Sequence, residues 1–66
     1  MNVSVDQPAL VHYDDRDLIG AVADVLFTRD GDVRQVVVRV DGSYLVRFVP
    51  VQGSWRSLGG LSTLTV

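Results

Sequence analysis

The sequence contains no cysteine, no lysine and no glutamate, and its one histidine is His12. Without cysteine the chain cannot form a disulfide or a thiolate metal site, and cysteine usage says nothing about the redox compartment. A zinc site would need carboxylates alone around the single imidazole, which is an uncommon set of ligands. The sequence therefore predicts a protein without a cofactor or a metal.

The missing residue types also bear on secondary structure. Glutamate, lysine and alanine are strong helix formers, and the chain has only three alanines. Valine fills 14 of the 66 positions, and its branched β-carbon favours the pleated strand. Composition alone therefore predicts an all-β protein.

The length of the chain limits how it can be stabilised. Sixty-six residues provide one core and one domain. A domain of this size buries only about 60% of the surface that its unfolded chain exposes, and such domains usually need a disulfide, a metal or a partner chain. Since disulfides are excluded, oligomerisation or an especially tight core remains. This favours a protein that associates with another chain.

The net charge of the chain is −2, the wrong sign for a protein that binds nucleic acid by neutralising phosphates. No run approaches 18 consecutive apolar residues, so no membrane span is expected. Residues 1–7 lack a basic region followed by an apolar stretch, so they do not read as a secretion signal. A cytoplasmic protein is the simplest expectation.

Alternating apolar residues predict the strands of a barrel domain over residues 9–66. Residues 1–8 are expected to form a flexible arm or a short edge strand, because Pro8 cannot donate to a sheet ladder. Residues 52–60 are interpreted as a loop with room for one helical turn at 55–58. The predicted strands are 9–13, 18–28, 33–40, 44–51 and 61–66.

Two Asp-Gly pairs mark the turns of this barrel. Asp30-Gly31 and Asp41-Gly42 each lie between apolar runs, and both residue types tolerate the positive φ of a primed hairpin turn. Two such turns predict a meander of three antiparallel strands. Gly20, inside the second strand, predicts a bulge or a sharp coil.

The strand over residues 44–51 is apolar on both faces. One face carries Tyr44, Val46 and Phe48, and the other carries Leu45, Val49 and Val51 around an arginine. Such a strand lies either inside a sandwich or against a partner. Trp55 likewise either plugs the open end of the barrel or is a binding hot spot. The candidate interface residues are Tyr44, Val46, Arg47, Phe48, Val49 and Trp55.

Two groups of polar residues have a candidate chemical role. His12 lies close to Asp14, Asp15 and Asp17, but catalysis would also need a nucleophile and a pocket, so the cluster is interpreted as a solvated turn and no enzyme is expected. The second group is a set of arginines on adjacent strands near Tyr44, which could bind RNA or form cross-strand ion pairs with aspartate. Its members are Arg34, Arg39 and Arg47.

Short motifs in the chain resemble those of the PRC-barrel family. Residues 18–25 read Leu-Ile-Gly-Ala-Val-Ala-Asp-Val, which is similar to the signature strand of these domains. An Asp-Gly turn at Asp30-Gly31, the valines at 36–38 and the step Val49-Pro50 follow in the same order. The first hairpin departs from the family, because Asp15-Arg16-Asp17 stands where Asp-Gly is common.

The resemblance implies a small PRC-barrel or SH3-like fold, closed or partly open, of about six antiparallel strands. Family members include the cytoplasmic domain of the photosynthetic reaction centre H subunit, a domain of a bacterial ribosome-maturation factor and archaeal cell-division components. Their shared theme is protein docking, and no catalytic or ligand residue carries over. The expected function is therefore an adaptor that homodimerises and docks onto a larger assembly of this kind, and the alternative is an RNA- or ribosome-associated module.

Overall fold

Six antiparallel strands form a closed barrel in the computed structural model, which describes residues 3–66. Each strand pairs with the next in the chain, and β6 pairs with β1 to close the sheet. This confirms the predicted all-β barrel of six strands. Residues 44–47 of the fourth strand are paired with the third strand alone, because the fifth strand pairs with residues 48–51. The strands are β1 (Pro8–His12), β2 (Asp17–Phe27), β3 (Val33–Val40), β4 (Tyr44–Val51), β5 (Ser54–Ser57) and β6 (Thr63–Thr65).

The predicted loop over residues 52–60 contains a strand. Gln52 and Gly53 have φ angles of 48° and 83°, the two positive values of a primed two-residue turn. This turn sends the chain straight back as β5, with Val51 paired to Ser54. The helical turn expected at residues 55–58 is therefore wrong, because a hairpin pairs those residues with β4.

The two Asp-Gly turns differ. Asp41 and Gly42 have φ angles of 50° and 81°, which confirms a primed turn between β3 and β4. Between β2 and β3 only Gly31 has a positive φ, and its N–H donates to the Thr28 carbonyl at 3.0 Å. A primed turn is wrong here, because the pairing of Phe27 with Val33 leaves five residues in the connection.

A bulge in β2 decides which of its residues face the interior. The register with β3 shifts between Val22 and Asp24. The sequence predicted a bulge at Gly20, and the bulge lies three residues further along the strand. Leu18, Gly20 and Val22 face inward before it, and Val25 packs on the core after it. Ile19 consequently points outward and is 80% exposed.

The interior of the barrel is filled mainly by valine. Phe48 is fully buried at its centre, and Val46 packs beside it, so the even-numbered residues of β4 face inward. The odd-numbered residues from Leu45 to Val51 face outward. The buried core comprises Ala9, Val11, Val22, Val36, Val38, Val40, Phe48, Trp55 and Leu64.

Residues 3–7 form a turn that is hydrogen-bonded to β2. The Asp6 N–H donates to the Val22 carbonyl at 2.8 Å, and the Val22 N–H donates to the Gln7 carbonyl at 2.9 Å. Val3 packs against the core from this turn. The remainder of the predicted arm, Met1 and Asn2, lies outside the described residues. No transmembrane helix is found among residues 3–66.

Candidate docking site

Four large apolar side chains surround one groove at the end of the barrel where β4 begins. Each is more than half exposed: Tyr44 by 66%, Leu45 by 51%, Leu58 by 64% and Leu61 by 78%. The groove has a volume of about 390 Å³. We call it the Tyr44 groove. Its lining residues are Tyr13, Tyr44, Leu45, Val46, Arg47, Ser57, Leu58, Gly59, Leu61 and Ser62.

Hydrogen bonds hold the loop that carries the two exposed leucines. The Leu58 N–H donates to the Arg47 carbonyl at 3.2 Å, which fixes the start of the loop to β4. The Ser57 hydroxyl accepts from the N–H groups of Leu61 and Ser62 at 3.2 and 3.1 Å. Because the barrel interior is already filled, this loop presents Leu58 and Leu61 to solvent.

The predicted interface residues separate into two groups. Tyr44, Val46 and Arg47 line the Tyr44 groove, and Val49 lies half-buried on the outer face of β4. Phe48 is buried completely and Trp55 is only 7% exposed, so the interface prediction is corrected at these two residues. Their side chains belong to the core and cannot contact a partner while the barrel is folded.

Trp55 packs in the core at one end of the barrel. Of its two interpretations, plug or binding hot spot, this position fits the plug. Trp55 also borders a cavity of about 790 Å³ between the β2–β3 and β4–β5 turns. This end lies opposite the Tyr44 groove, since the groove adjoins the β3–β4 turn. The two ends of the barrel are therefore distinct surfaces.

His12 connects three strands across the seam that closes the barrel. Its Nδ1 lies 2.9 Å from Asp17 Oδ1 on β2, and its Nε2 lies 2.7 Å from Thr65 Oγ1 on β6. The order hydroxyl, imidazole, carboxylate matches that of hydrolase triads, but a triad also needs donors aimed at an oxyanion. β6 is paired on both sides at Thr63 and Leu64, whereas Thr65 is paired with β1 alone. The geometry fits a clamp on the seam.

A substitution at Thr65 tests this clamp. We expect Thr65→Val to lower the free energy of unfolding by about 1 kcal/mol, because it removes one hydrogen bond and leaves the ring nitrogen to water. Thr63→Val is the matched control, since Thr63 is on the same strand and face and its hydroxyl bonds to no described side chain. Urea unfolding of both variants measures the difference. Equal losses would contradict the clamp.

The arginines do not align as the sequence predicted. Arg39 and Arg47 lie on the outer face of β3 and β4, whereas Arg34 lies at a register shift near the start of β3. Cross-strand ion pairs with aspartate were the alternative interpretation. Among residues 3–66 the one ion pair found joins His12 and Asp17, so the predicted ion pairs of these arginines are wrong, whereas RNA binding stays a prediction.

Comparisons with protein families, with curated proteins and with solved structures found no match to this chain. The resemblance to PRC-barrel domains therefore stays a prediction that rests on the motifs alone.

Proposed function

We propose that this protein is a non-catalytic interaction module that pairs with a second copy through the Tyr44 groove and docks, as a dimer, onto a larger protein assembly. The observation that carries the proposal is the convergence of four mostly exposed, large apolar side chains on one groove. Single exposed apolar residues are ordinary on protein surfaces, but a contiguous apolar patch around a concave site is typical of an interface.

Burial of these side chains provides the driving force for association. Complete burial of one leucine contributes about 1.5–3 kcal/mol. Leu58 and Leu61 retain most of their surface in the single chain, so a partner that covers them gains most of that contribution at each. Because the loop is already held by hydrogen bonds to Ser57, association orders little additional backbone.

The shape and charge of the groove fit a second copy of the same chain. A two-fold interface requires a surface that complements itself. Leu45, Leu58 and Leu61 all line the concave site and are more than half exposed, so each copy offers both projecting side chains and a recess. Arg47 lies at the rim and Asp41 in the turn before Tyr44, which allows unlike charges to pair across the axis.

The dimer is tested by sedimentation velocity over a range of concentrations. We expect the wild-type mass to rise from 7.2 kDa towards twice that value, and Leu58→Asp to remain at 7.2 kDa, because a carboxylate would be buried in the apolar contact. Ile19→Asp is the matched control: Ile19 is even more exposed but lies on the outer face of β2. A wild-type chain that stays monomeric at millimolar concentration would refute the proposal.

A further inference from the structure

Three arginines form a diagonal row across the outer face of β3, β4 and β5. Arg39 pairs with Leu45, Arg47 with Val37, and Arg56 with Val49, so each arginine is the diagonal neighbour of the next. Diagonal neighbours on one face of a sheet lie about 7–8 Å apart. We call Arg39, Arg47 and Arg56 the arginine strip.

No carboxylate among residues 3–66 forms an ion pair with this strip. β3, β4 and β5 contain no acidic residue. None of the three arginines forms an ion pair within the described part of the chain. Arg47 Nη1 donates to the neutral Gln35 Oε1 at 2.8 Å, which fixes its direction without cancelling its charge. Asp14 lines the same small cavity as Arg56 without pairing with it.

The carboxylate nearest to the strip on a strand accepts a hydrogen bond from the backbone. Asp24, on β2, lies across Val37 from Arg47 and is a diagonal neighbour of Arg39, but it forms an ion pair with neither. Its Oδ1 accepts a hydrogen bond from the Val25 N–H at 2.9 Å. Apart from Asp17 and Asp24, every described aspartate lies outside the strands. A chain of net charge −2 thus keeps three adjacent positive charges on one face, where an anion from outside would relieve their mutual repulsion.

We propose that the arginine strip binds an extended acidic segment of a partner protein, with carboxylates at alternate residues. In an extended chain, side chains on the same side are spaced about 6.6–6.8 Å apart. This distance is close to the diagonal spacing of the strip. The segment lies on the outer face of the sheet, because all three arginines of the strip are on that face. Each carboxylate receives charge-assisted hydrogen bonds from one guanidinium.

The surroundings of the strip favour a short acidic peptide over RNA. Aspartates lie in the turns at both ends of the barrel, with Asp41 at one end and Asp30 and Asp32 at the other. Their negative charges repel a polyanion that extends past the strip. Single-stranded RNA also needs aromatic side chains for base stacking, and Tyr44 alone is exposed on these three strands.

Fluorescence anisotropy with a labelled peptide of three Asp-Thr repeats tests this inference. We expect the wild type to bind it, and the triple variant Arg39→Gln, Arg47→Gln, Arg56→Gln to bind about tenfold or more weakly, since three exposed charge pairs are lost. Arg34→Gln is the matched control and should retain the wild-type affinity. Thermal unfolding of each variant verifies the fold.

Three results would overturn the inference: no binding of the Asp-Thr peptide, equal binding of the same peptide with asparagine, or equal or tighter binding of a six-nucleotide uridine RNA. The anisotropy assay measures peptide binding to the strip of a single protomer and does not require the dimer. It can therefore be repeated on Leu58→Asn, which removes the apolar side chain without placing a carboxylate beside Arg47, and which separates failure at the strip from failure of the dimer. Retained peptide binding by that variant would show that the strip binds without the dimer, even though the two surfaces share Arg47.

Discussion

Replacing Gly20 with alanine is expected to remove about a third or more of the protein's free energy of unfolding. An added β-carbon would lie 2.4 Å from the Arg39 carbonyl oxygen and 2.8 Å from Val40 Cγ1. The oxygen belongs to the backbone of β3, so it cannot move without breaking the β2–β3 ladder. Overpacking of this kind costs about 3 kcal/mol, whereas a chain of this length has a total stability of about 3–10 kcal/mol.

Gly59→Ala is the matched control for this substitution. Gly59 has no described atom within 4 Å of an added β-carbon and is not among the residues with positive φ. We expect its stability to stay within about 0.5 kcal/mol of the wild type or to rise slightly, because alanine restricts the unfolded chain. Circular dichroism during urea unfolding measures both variants. A Gly20→Ala protein with the same free energy of unfolding as the wild type would show that β2 and β3 are not packed this closely.

Phe48→Ala is expected to lower the free energy of unfolding by about 3–5 kcal/mol, because it leaves a cavity in a filled core. Phe48 is fully buried, and its neighbours are valines on strands that are held in register on both sides. These side chains cannot collapse into the space without distorting the ladders. Thermal and urea unfolding should both show the loss.

The control for this variant is Phe27→Ala, which removes the same atoms from a side chain that is 56% exposed. We expect it to cost less than about 1 kcal/mol, as is usual for surface substitutions. If the two variants lost equal stability, Phe48 would not be the centre of the core. A weak effect of Phe48→Ala on folding together with loss of the dimer would instead restore it as an interface residue.

Local patterns in the sequence identify most of the fold. Four strands are predicted to within one residue at each end, because valine-rich alternation and Asp-Gly turns define them locally. β5 is missed because its four residues, Ser-Trp-Arg-Ser, are mostly polar and its turn is Gln-Gly. The bulge at Ala23 is missed because it depends on the register with β3, which the sequence of β2 does not contain.

The candidate site is predicted only in part. Both faces of β4 are apolar in sequence, so alternation cannot decide whether Phe48 or Leu45 faces inward, and closure of the barrel makes that choice. Leu58 and Leu61 lie in a loop and carry no periodic signal. The one available clue is that two large aliphatic residues flank Gly59-Gly60, where loops are usually polar.

The position of Arg34 was also predicted incorrectly from the sequence, for a related reason. Sequence spacing placed it in line with Arg39 and Arg47, but the register shift at the start of β3 removes it from their row. Arg56 takes its place only because β5 exists and pairs with β4. The arginine strip is thus a property of the register, and no linear motif reveals it.

Isotope-filtered NMR tests the central claim, that the Tyr44 groove is covered by a second copy, most directly. Mixing labelled and unlabelled protein restricts the observed contacts to those between copies. We expect intermolecular NOEs from the methyl groups of Leu45, Leu58 and Leu61, including contacts to the Tyr44 ring. Intermolecular NOEs at Ile19 instead, or none at all at millimolar concentration, would contradict the account.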